Sequence, residues 1–175
     1  AHDNPVISLD DQGHVWVFAS SHGTARPSYV FKSKQPYNID AFDMVWKTNF
    51  SYPQPWYIEG QGFLFLHTRY GQGRGLYAMT STDGITWSEG KSYAHIEEGH
   101  YQVSWPCGKK VGTAFDYHPK EGGLNYRTNL YYIETDDMAQ TWKNVAGAAV
   151  ETPLQTVKNN ALVHDYAAEG LVVYV

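Results

Sequence analysis

Four side chains that could exchange a proton or bind a carboxylate stand near the ends of predicted strands: His2, His22, Tyr52 and Arg69. Imidazole and phenol groups serve as general acids and bases, and a guanidinium binds a carboxylate through paired hydrogen bonds. This set suits β-elimination from a uronic acid. In that reaction a cation neutralises the carboxylate, a base removes the C5 proton and an acid protonates the leaving oxygen. A glycosidase instead needs two carboxylates at a defined separation, and the set contains no such pair.

The order of the strands explains why these residues are grouped. In a unit whose strands run alternately up and down, the residues before the first strand and after the second lie at the same end. The same rule places a second group at that end, which we predict to bind the substrate: Asn4, Tyr101, Tyr117, His118 and Asn160.

The elements that must position these residues are short strands in a repeated arrangement, and the pattern predicts no helix. Units of about four strands recur at 1–47, 48–98 and 99–156, and an incomplete unit follows at 157–175. This spacing is typical of the blades of a β-propeller, which closes with about 4–8 blades. We therefore predict an all-β fold of four-stranded antiparallel blades. The chain would be a piece, about three and a half blades long, of a propeller with seven; a β-sandwich is the structural alternative.

Two turns with the same chemistry support the repeat. Ser81–Trp87 contains Asp83-Gly84 after an apolar strand, and Thr135–Trp142 contains Asp136-Asp137 in the equivalent place. Asp and Gly favour tight turns, because Asp bonds to nearby backbone amides and Gly accepts positive φ. Both turns are predicted between the third and fourth strands, at the end opposite the candidate site. The pattern also predicts a glycine-rich loop at 70–75 and a final strand at 171–175.

Composition excludes several classes of function. The net charge is −5 and the sequence has no basic cluster beyond Lys109-Lys110, which argues against a nucleic-acid partner. No apolar run is long enough for a transmembrane helix. The single Cys107 cannot form an internal disulfide.

Metal binding is not predicted at the candidate site, and no cofactor is required for the proposed chemistry. Cys107 could be combined with histidines elsewhere in the chain, but the spacings match no recognised zinc pattern. A structural calcium or zinc ion is kept as an alternative. The oligomeric state is left open.

The two turns resemble the Asp-box of the sialidase-like BNR repeat, although Ala139 replaces the usual Gly in the second. A more specific resemblance is to the propeller polysaccharide lyases, namely the ulvan lyases and the rhamnose–glucuronate lyases. It is carried by His2–Pro5, Gly13–Phe18, His22-Gly23, Tyr52–Pro55 and Arg69.

This resemblance implies a secreted or periplasmic enzyme that cleaves an acidic, uronate-containing polysaccharide. It implies that His2, His22 and Tyr52 share the acid and base roles and that Arg69 neutralises the carboxylate. Tyr117 falls on a further aromatic position of the site. Which of the histidines and the tyrosine is the base stays open. So do the exact glycan and the choice between endo and exo cleavage.

Two other functions compete with this interpretation. A sialidase-like glycoside hydrolase would fit the Asp-boxes, but it would need three converging arginines and a Tyr-Glu pair. A non-catalytic glycan-binding propeller would tolerate replacement of His2, His22, Tyr52 or Arg69 without loss of binding.

Overall fold

The computed structural model describes residues 4–123 and 125–175, and these form antiparallel sheets of short strands. The chain divides into two compact units. Unit 1 is the described chain up to Tyr70 together with Ala78–Lys91, and unit 2 is Gly71–Tyr77 together with Ser92–Val175. His2 lies outside the described residues.

The first sheet has four strands in chain order: β1 (Val6–Leu9), β2 (Val15–Ala19), β3 (Ser28–Ser33) and β4 (Phe42–Thr48). A tight turn joins β1 to β2, since Asp10 Oδ1 accepts hydrogen bonds from the backbone amides of Gln12 and His14 at 3.1 and 2.8 Å. Gly13 completes this turn at φ 85°, with the Tyr37 ring packed against it. The Asp10 carboxylate and the left-handed Gly13 thus close the β1–β2 hairpin.

The second sheet also has four strands in chain order: β5 (Ser51–Ile58), β6 (Gly62–Gly71), β7 (Gly73–Ser81) and β8 (Lys91–Ala94). The glycine-rich loop predicted at 70–75 is wrong, because β6 continues to Gly71 and β7 begins at Gly73. Backbone pairing explains the difference. The amide of Arg74 donates to the Glu98 carbonyl at 3.0 Å, and the amide of His100 donates to the Arg74 carbonyl at 3.2 Å.

The third sheet is larger and contains β9 (Gln102–Cys107), β10 (Lys110–Tyr117), β11 (Thr128–Thr135), β12 (Trp142–Lys143) and β13 (Ala149–Val150). A further strand, β14 (Leu162–His164), pairs antiparallel with β11. The segment predicted to open a fourth blade therefore pairs here with the third sheet. The blade boundaries themselves stay a prediction.

The end of the chain differs from the predicted strand at 171–175. Tyr166–Glu169 form one short 3₁₀-helix, which ends at Gly170 with φ 69°. Beyond it, the amide of Val173 donates to the Arg127 carbonyl at 2.9 Å, but no strand ladder forms. The left-handed residue redirects the chain before an apolar sequence can pair as a strand. In the described part of the chain, no helix is long and apolar enough to cross a bilayer.

Each unit has its own aromatic core. In unit 1, Phe18 is fully buried among Phe50, Phe63 and Phe65, and Trp46 stacks on Trp87 at 5.2 Å between ring centroids. In unit 2, Phe115 stacks on Tyr131 at 5.3 Å, and Tyr93 packs on Trp142 at 4.9 Å. Burial of large aromatic rings provides most of the driving force for packing in such thin sheets.

The two predicted turns are built as expected, between β7 and β8 and between β11 and β12. Asp83 Oδ1 accepts from the amides of Ile85 and Thr86 at 2.8 and 2.7 Å. Asp137 Oδ1 accepts from the amides of Gln140 and Thr141 at 3.0 and 2.9 Å. The all-β prediction with four-stranded antiparallel sheets is confirmed.

Candidate functional site

Unit 1 brings two of the predicted catalytic residues together through a third residue. The Tyr70 hydroxyl lies 3.1 Å from His22 Nε2 and 3.5 Å from the Tyr52 hydroxyl. The His22 ring also meets both tyrosine rings edge to face, at 6.3 Å from Tyr52 and 5.5 Å from Tyr70. We call His22, Tyr52 and Tyr70 the tyrosine–histidine cluster. An exposed imidazole and two half-buried phenols in this order can pass a proton among them.

The backbone at Tyr52 is strained in a way that aims its side chain. Tyr52 has φ 49°, a conformation that costs a bulky residue about 1–3 kcal/mol. The register of β5 on β6 shifts between Ser51 and Gln54, so an extra residue bulges there. Bulges frequently lie beside active sites, where they redirect one side chain. Tyr52 is therefore held by the sheet in an otherwise unfavourable position.

A buried serine network holds the loop that carries His22. Ser51 Oγ donates to the Ser21 carbonyl at 2.7 Å and accepts from the Gly23 amide at 3.2 Å, on either side of His22. Ser28 Oγ in turn accepts from the Ser21 amide at 2.9 Å. These bonds tie the loop after β2 to the first residue of β5, which sits next to Tyr52.

Arg69 lies in the same unit, with its guanidinium close to other groups of β6 and β7. Its Nε donates to His67 Nε2 at 3.2 Å, and Nη2 lies 3.3 Å from the Met79 sulfur. A Cβ placed on Gly90 would lie 2.3 Å from Arg69 Nη2, so glycine leaves room for the guanidinium there. Burial and the Arg69 charge lower the pKa of His67 to about 3, which keeps this imidazole neutral as an acceptor.

Unit 2 holds a second group of polar residues, arranged around the Tyr101 ring. The Arg74 and Arg127 guanidinium carbons lie 4.7 and 4.4 Å from the centroid of that ring. Arg74 also donates to the Tyr101 hydroxyl at 3.4 Å and to His118 Nδ1 at 2.5 Å. We call Arg74, Tyr101, His118 and Arg127 the arginine–tyrosine cluster. It contains two of the residues predicted to bind substrate, Tyr101 and His118.

Buried groups beneath this cluster fix its geometry and charge. His118 Nε2 lies 2.9 Å from the Gly123 carbonyl, to which it donates while Nδ1 accepts from Arg74. Asp116 Oδ1 accepts from the Tyr101 amide at 2.9 Å. Burial raises the pKa of Asp116 to about 6, although this amide and the two arginines oppose the rise. His100 is fully buried, and its burial lowers its pKa to about 3.

The remaining predicted substrate-binding residues lie in different surroundings. Asn4 is exposed just before β1. Tyr117 is buried and packs edge to face on Tyr131, and burial raises the pKa of its phenol. Asn160 is exposed and donates from Nδ2 to the Ala149 carbonyl at 2.8 Å, so this bond holds the end of the third sheet. The roles of all three in binding stay predictions.

Within residues 4–123 and 125–175 no three His, Cys, Asp or Glu side chains are grouped as a metal centre would require. Cys107 is exposed at the end of β9.

Sequence reasoning missed Tyr70, Arg74 and Arg127. Tyr70 and Arg74 were assigned to a glycine-rich loop, although they lie in β6 and β7. The rule that gathers residues after the second strand of a unit would have included Tyr70. Nothing in the local sequence indicated Arg127, because only tertiary packing brings it to Tyr101.

The chain is similar to known proteins over most of its length. Residues 1–172 match the family described as BNR repeat-containing family member, so the chain belongs to this family of β-propeller repeat proteins. It is also similar to a curated ulvan lyase from Nonlabens ulvanivorans, with 25% identity over 187 residues. That match covers 87% of this chain and 40% of the relative.

Two solved structures of a PL25 ulvan lyase have the same fold. Each superposes with a TM-score of 0.75 over 88% of this chain and 43% of the other, at 19% and 18% identity. One of them is bound to -[GlcA(1-4)Rha3S]-. The β-propeller prediction is thereby confirmed, for a chain that spans less than half the length of these relatives.

Proposed function

We propose that this protein is part of a polysaccharide lyase that cleaves a uronate-containing polysaccharide by β-elimination. The observation that carries the proposal is the tyrosine–histidine cluster, in which Tyr70 lies between His22 and a strained Tyr52. The similarity to an ulvan lyase supports it independently.

The cluster offers both groups that the reaction needs. A base takes the proton from C5 of the uronate, the electrons of that bond form the C4–C5 double bond, and the bond from C4 to the glycosidic oxygen breaks. An acid then gives its proton to that oxygen. His22 and Tyr52 are the two transferring groups in this proposal. Tyr70 connects them, so a proton gained by one can return through its hydroxyl to the other.

The carboxylate must be neutralised before its neighbouring proton becomes acidic enough to remove. We assign this role to Arg69, whose planar guanidinium suits a carboxylate. Neutral His67 orients the guanidinium by accepting a hydrogen bond from Nε. His2 completes the predicted catalytic set, and it lies outside the described residues.

The relatives and the charge of these side chains support a proposal for the substrate class. The curated relative is an ulvan lyase, and a solved structure of such an enzyme is bound to an oligosaccharide of glucuronate and sulfated rhamnose. We propose a polysaccharide of that kind, acted on outside the cytoplasm.

The test is to incubate the protein with ulvan and with a non-sulfated rhamnose–glucuronate polysaccharide and to follow ultraviolet absorbance. An unsaturated uronate absorbs, whereas the product of hydrolysis does not. We expect absorbance to rise with at least one substrate and Arg69→Gln to abolish the rise. Binding without any absorbance would favour a glycan-binding propeller. Release of reducing sugar without absorbance would favour a glycoside hydrolase.

A further inference from the structure

The arginine–tyrosine cluster of unit 2 has more positive charge than its own carboxylate can balance. Arg74 and Arg127 both carry a full charge, and the buried carboxylate beside them is Asp116. Two guanidinium groups near one ring repel each other unless an anion joins them.

Both arginines also have polar atoms without an acceptor. Among the residues that the structure describes, the buried Nε atoms of Arg74 and Arg127 have no hydrogen-bond partner. Arg127 is 9% exposed, so water can satisfy little of its side chain. A buried N–H without an acceptor destabilises the folded state. Stacking on Tyr101 does not remove that cost, but an oxyanion with several acceptor oxygens would.

The backbone holds Arg74 in place without help from a ligand. Gly99 pairs with Arg74 in a parallel bridge, at φ 100°. A Cβ on Gly99 would lie 2.2 Å from the Arg74 carbonyl oxygen, so only glycine permits this approach. The His118 amide donates to the Gly99 carbonyl at 2.8 Å, which fixes the residue that accepts from Arg74 Nη2. Little entropy would therefore be lost when an anion binds.

From this geometry we propose that Arg74, Arg127 and the Tyr101 hydroxyl form an anion-binding site for an acidic substituent of a glycan, either a sulfate ester or a carboxylate. Arg74 and Tyr101 are half-buried, so the site is open on their side. Anion binding is inferred from unit 2 alone. The assignment of the anion to a glycan rests on the proposed function.

Arg74→Gln is the principal test, because Arg74 is partly exposed and its loss leaves Arg127 beside Asp116. Arg26→Gln, which removes an exposed arginine of unit 1, is the matched control. Inorganic sulfate and free glucuronate are titrated separately into each protein by calorimetry, at constant ionic strength because screening alters surface electrostatics. We expect Arg74→Gln to weaken binding of at least one anion about tenfold, as loss of a charged hydrogen bond implies. Arg26→Gln should bind like the wild type.

Preference for sulfate or for glucuronate in these titrations identifies the substituent. Arg74→Lys should recover part of the affinity, which also shows that the fold is intact. Equal binding of both anions by Arg74→Gln and the wild type, or no binding by the wild type, would overturn the proposal. On ulvan, Arg74→Gln should raise KM with little change in kcat. Anion binding without turnover would overturn the lyase and keep the site. Turnover of ulvan with an unchanged KM in Arg74→Gln would support the lyase and overturn the anion-binding site.

Discussion

The tyrosine–histidine cluster of unit 1 and the arginine–tyrosine cluster of unit 2 contain similar residue types in different surroundings. Both lie near an irregularity in a sheet, at the β5–β6 shift beside Tyr52 and at the β10–β11 shift between Phe115 and Tyr117. In unit 1 an exposed imidazole and two phenols form a chain of hydrogen bonds. In unit 2 two guanidinium groups stack on a phenol above a buried carboxylate.

The charges next to a tyrosine side chain determine which chemistry it can support. Tyr52 lies beside an imidazole and a second phenol, whereas the Tyr101 ring lies close to two guanidinium groups. The two clusters should therefore fail differently when they are altered. Loss of a member should lower kcat in unit 1 and raise KM in unit 2.

The largest effect is expected from His22→Asn, which keeps a polar side chain but removes the titrating ring. Loss of a general acid or base typically lowers the rate 10²- to 10⁴-fold, so kcat on a uronate polysaccharide should fall within about that range. His164→Asn is the control, because His164 is a surface residue that contacts Glu169 at 2.6 Å in unit 2. Equal activities of the two variants would remove His22 from the mechanism.

A smaller effect is expected from Tyr70→Phe, which deletes only the hydroxyl between His22 and Tyr52. We expect kcat to fall about tenfold, the equivalent of one hydrogen bond of ~1.4 kcal/mol, and its pH dependence to change. Tyr37→Phe serves as the control, since Tyr37 is 84% exposed. A Tyr70→Phe enzyme with an unaltered pH profile would show that the contact is structural only.

The turns of the two units extend the comparison to stability. Gly84 has φ 72°, and a Cβ there would lie 2.3 Å from the buried Trp16 ring, so Gly84→Ala should destabilise by about 1–3 kcal/mol. Ala139 has φ 62° in the corresponding turn, and Ala139→Gly should stabilise by about 0.5 kcal/mol because its strain is relieved. Urea unfolding measures both. A stabilising Gly84→Ala would contradict the close packing of that turn.

The two units should also differ in their response to acid. The pKa of His67 in unit 1 falls from 6.5 to about 3 on folding, so the unfolded state binds the extra proton below pH 6.5. The free energy of unfolding should therefore decrease as the pH is lowered, by up to ~1.4 kcal/mol per pH unit. In unit 2, His100 acts in the same direction. The pKa of Asp116 is raised to about 6, so this carboxyl binds a proton more readily in the folded state and opposes the loss of stability in acid.

Amide hydrogen exchange, corrected for intrinsic rates, measures this difference. As the pH is lowered from about 6 to 4, the amides of unit 1 should lose more protection than those of unit 2. Equal losses in the two units would mean that Asp116 does not offset His100.

The sequence predicted what local patterns control. The repeat of about four strands predicted the antiparallel sheets, and Asp83 and Asp137 predicted the turns. The rule for strand ends also placed His22 close to Tyr52, a pair that the structure joins through Tyr70. It could not predict the strain at Tyr52, because a bulge depends on the partner strand.

Errors arose where distant backbone pairing overrides local composition. The composition of Gly71–Gly75 predicts a loop, but Gly73 and Gly99 allow β7 to approach the segment before β9. Arg127 reaches Tyr101 only through the tertiary fold, so no local motif could identify the second cluster.

The most direct measurement of the central claim is mass spectrometry of the products formed from a rhamnose–glucuronate polysaccharide by the wild type and by His22→Asn. Elimination breaks the chain without adding water, so each new non-reducing end should be one water lighter than a product of hydrolysis. We predict this lighter product from the wild type and almost none from His22→Asn. Products that carry the added water, or lighter products in equal yield from both proteins, would contradict the account.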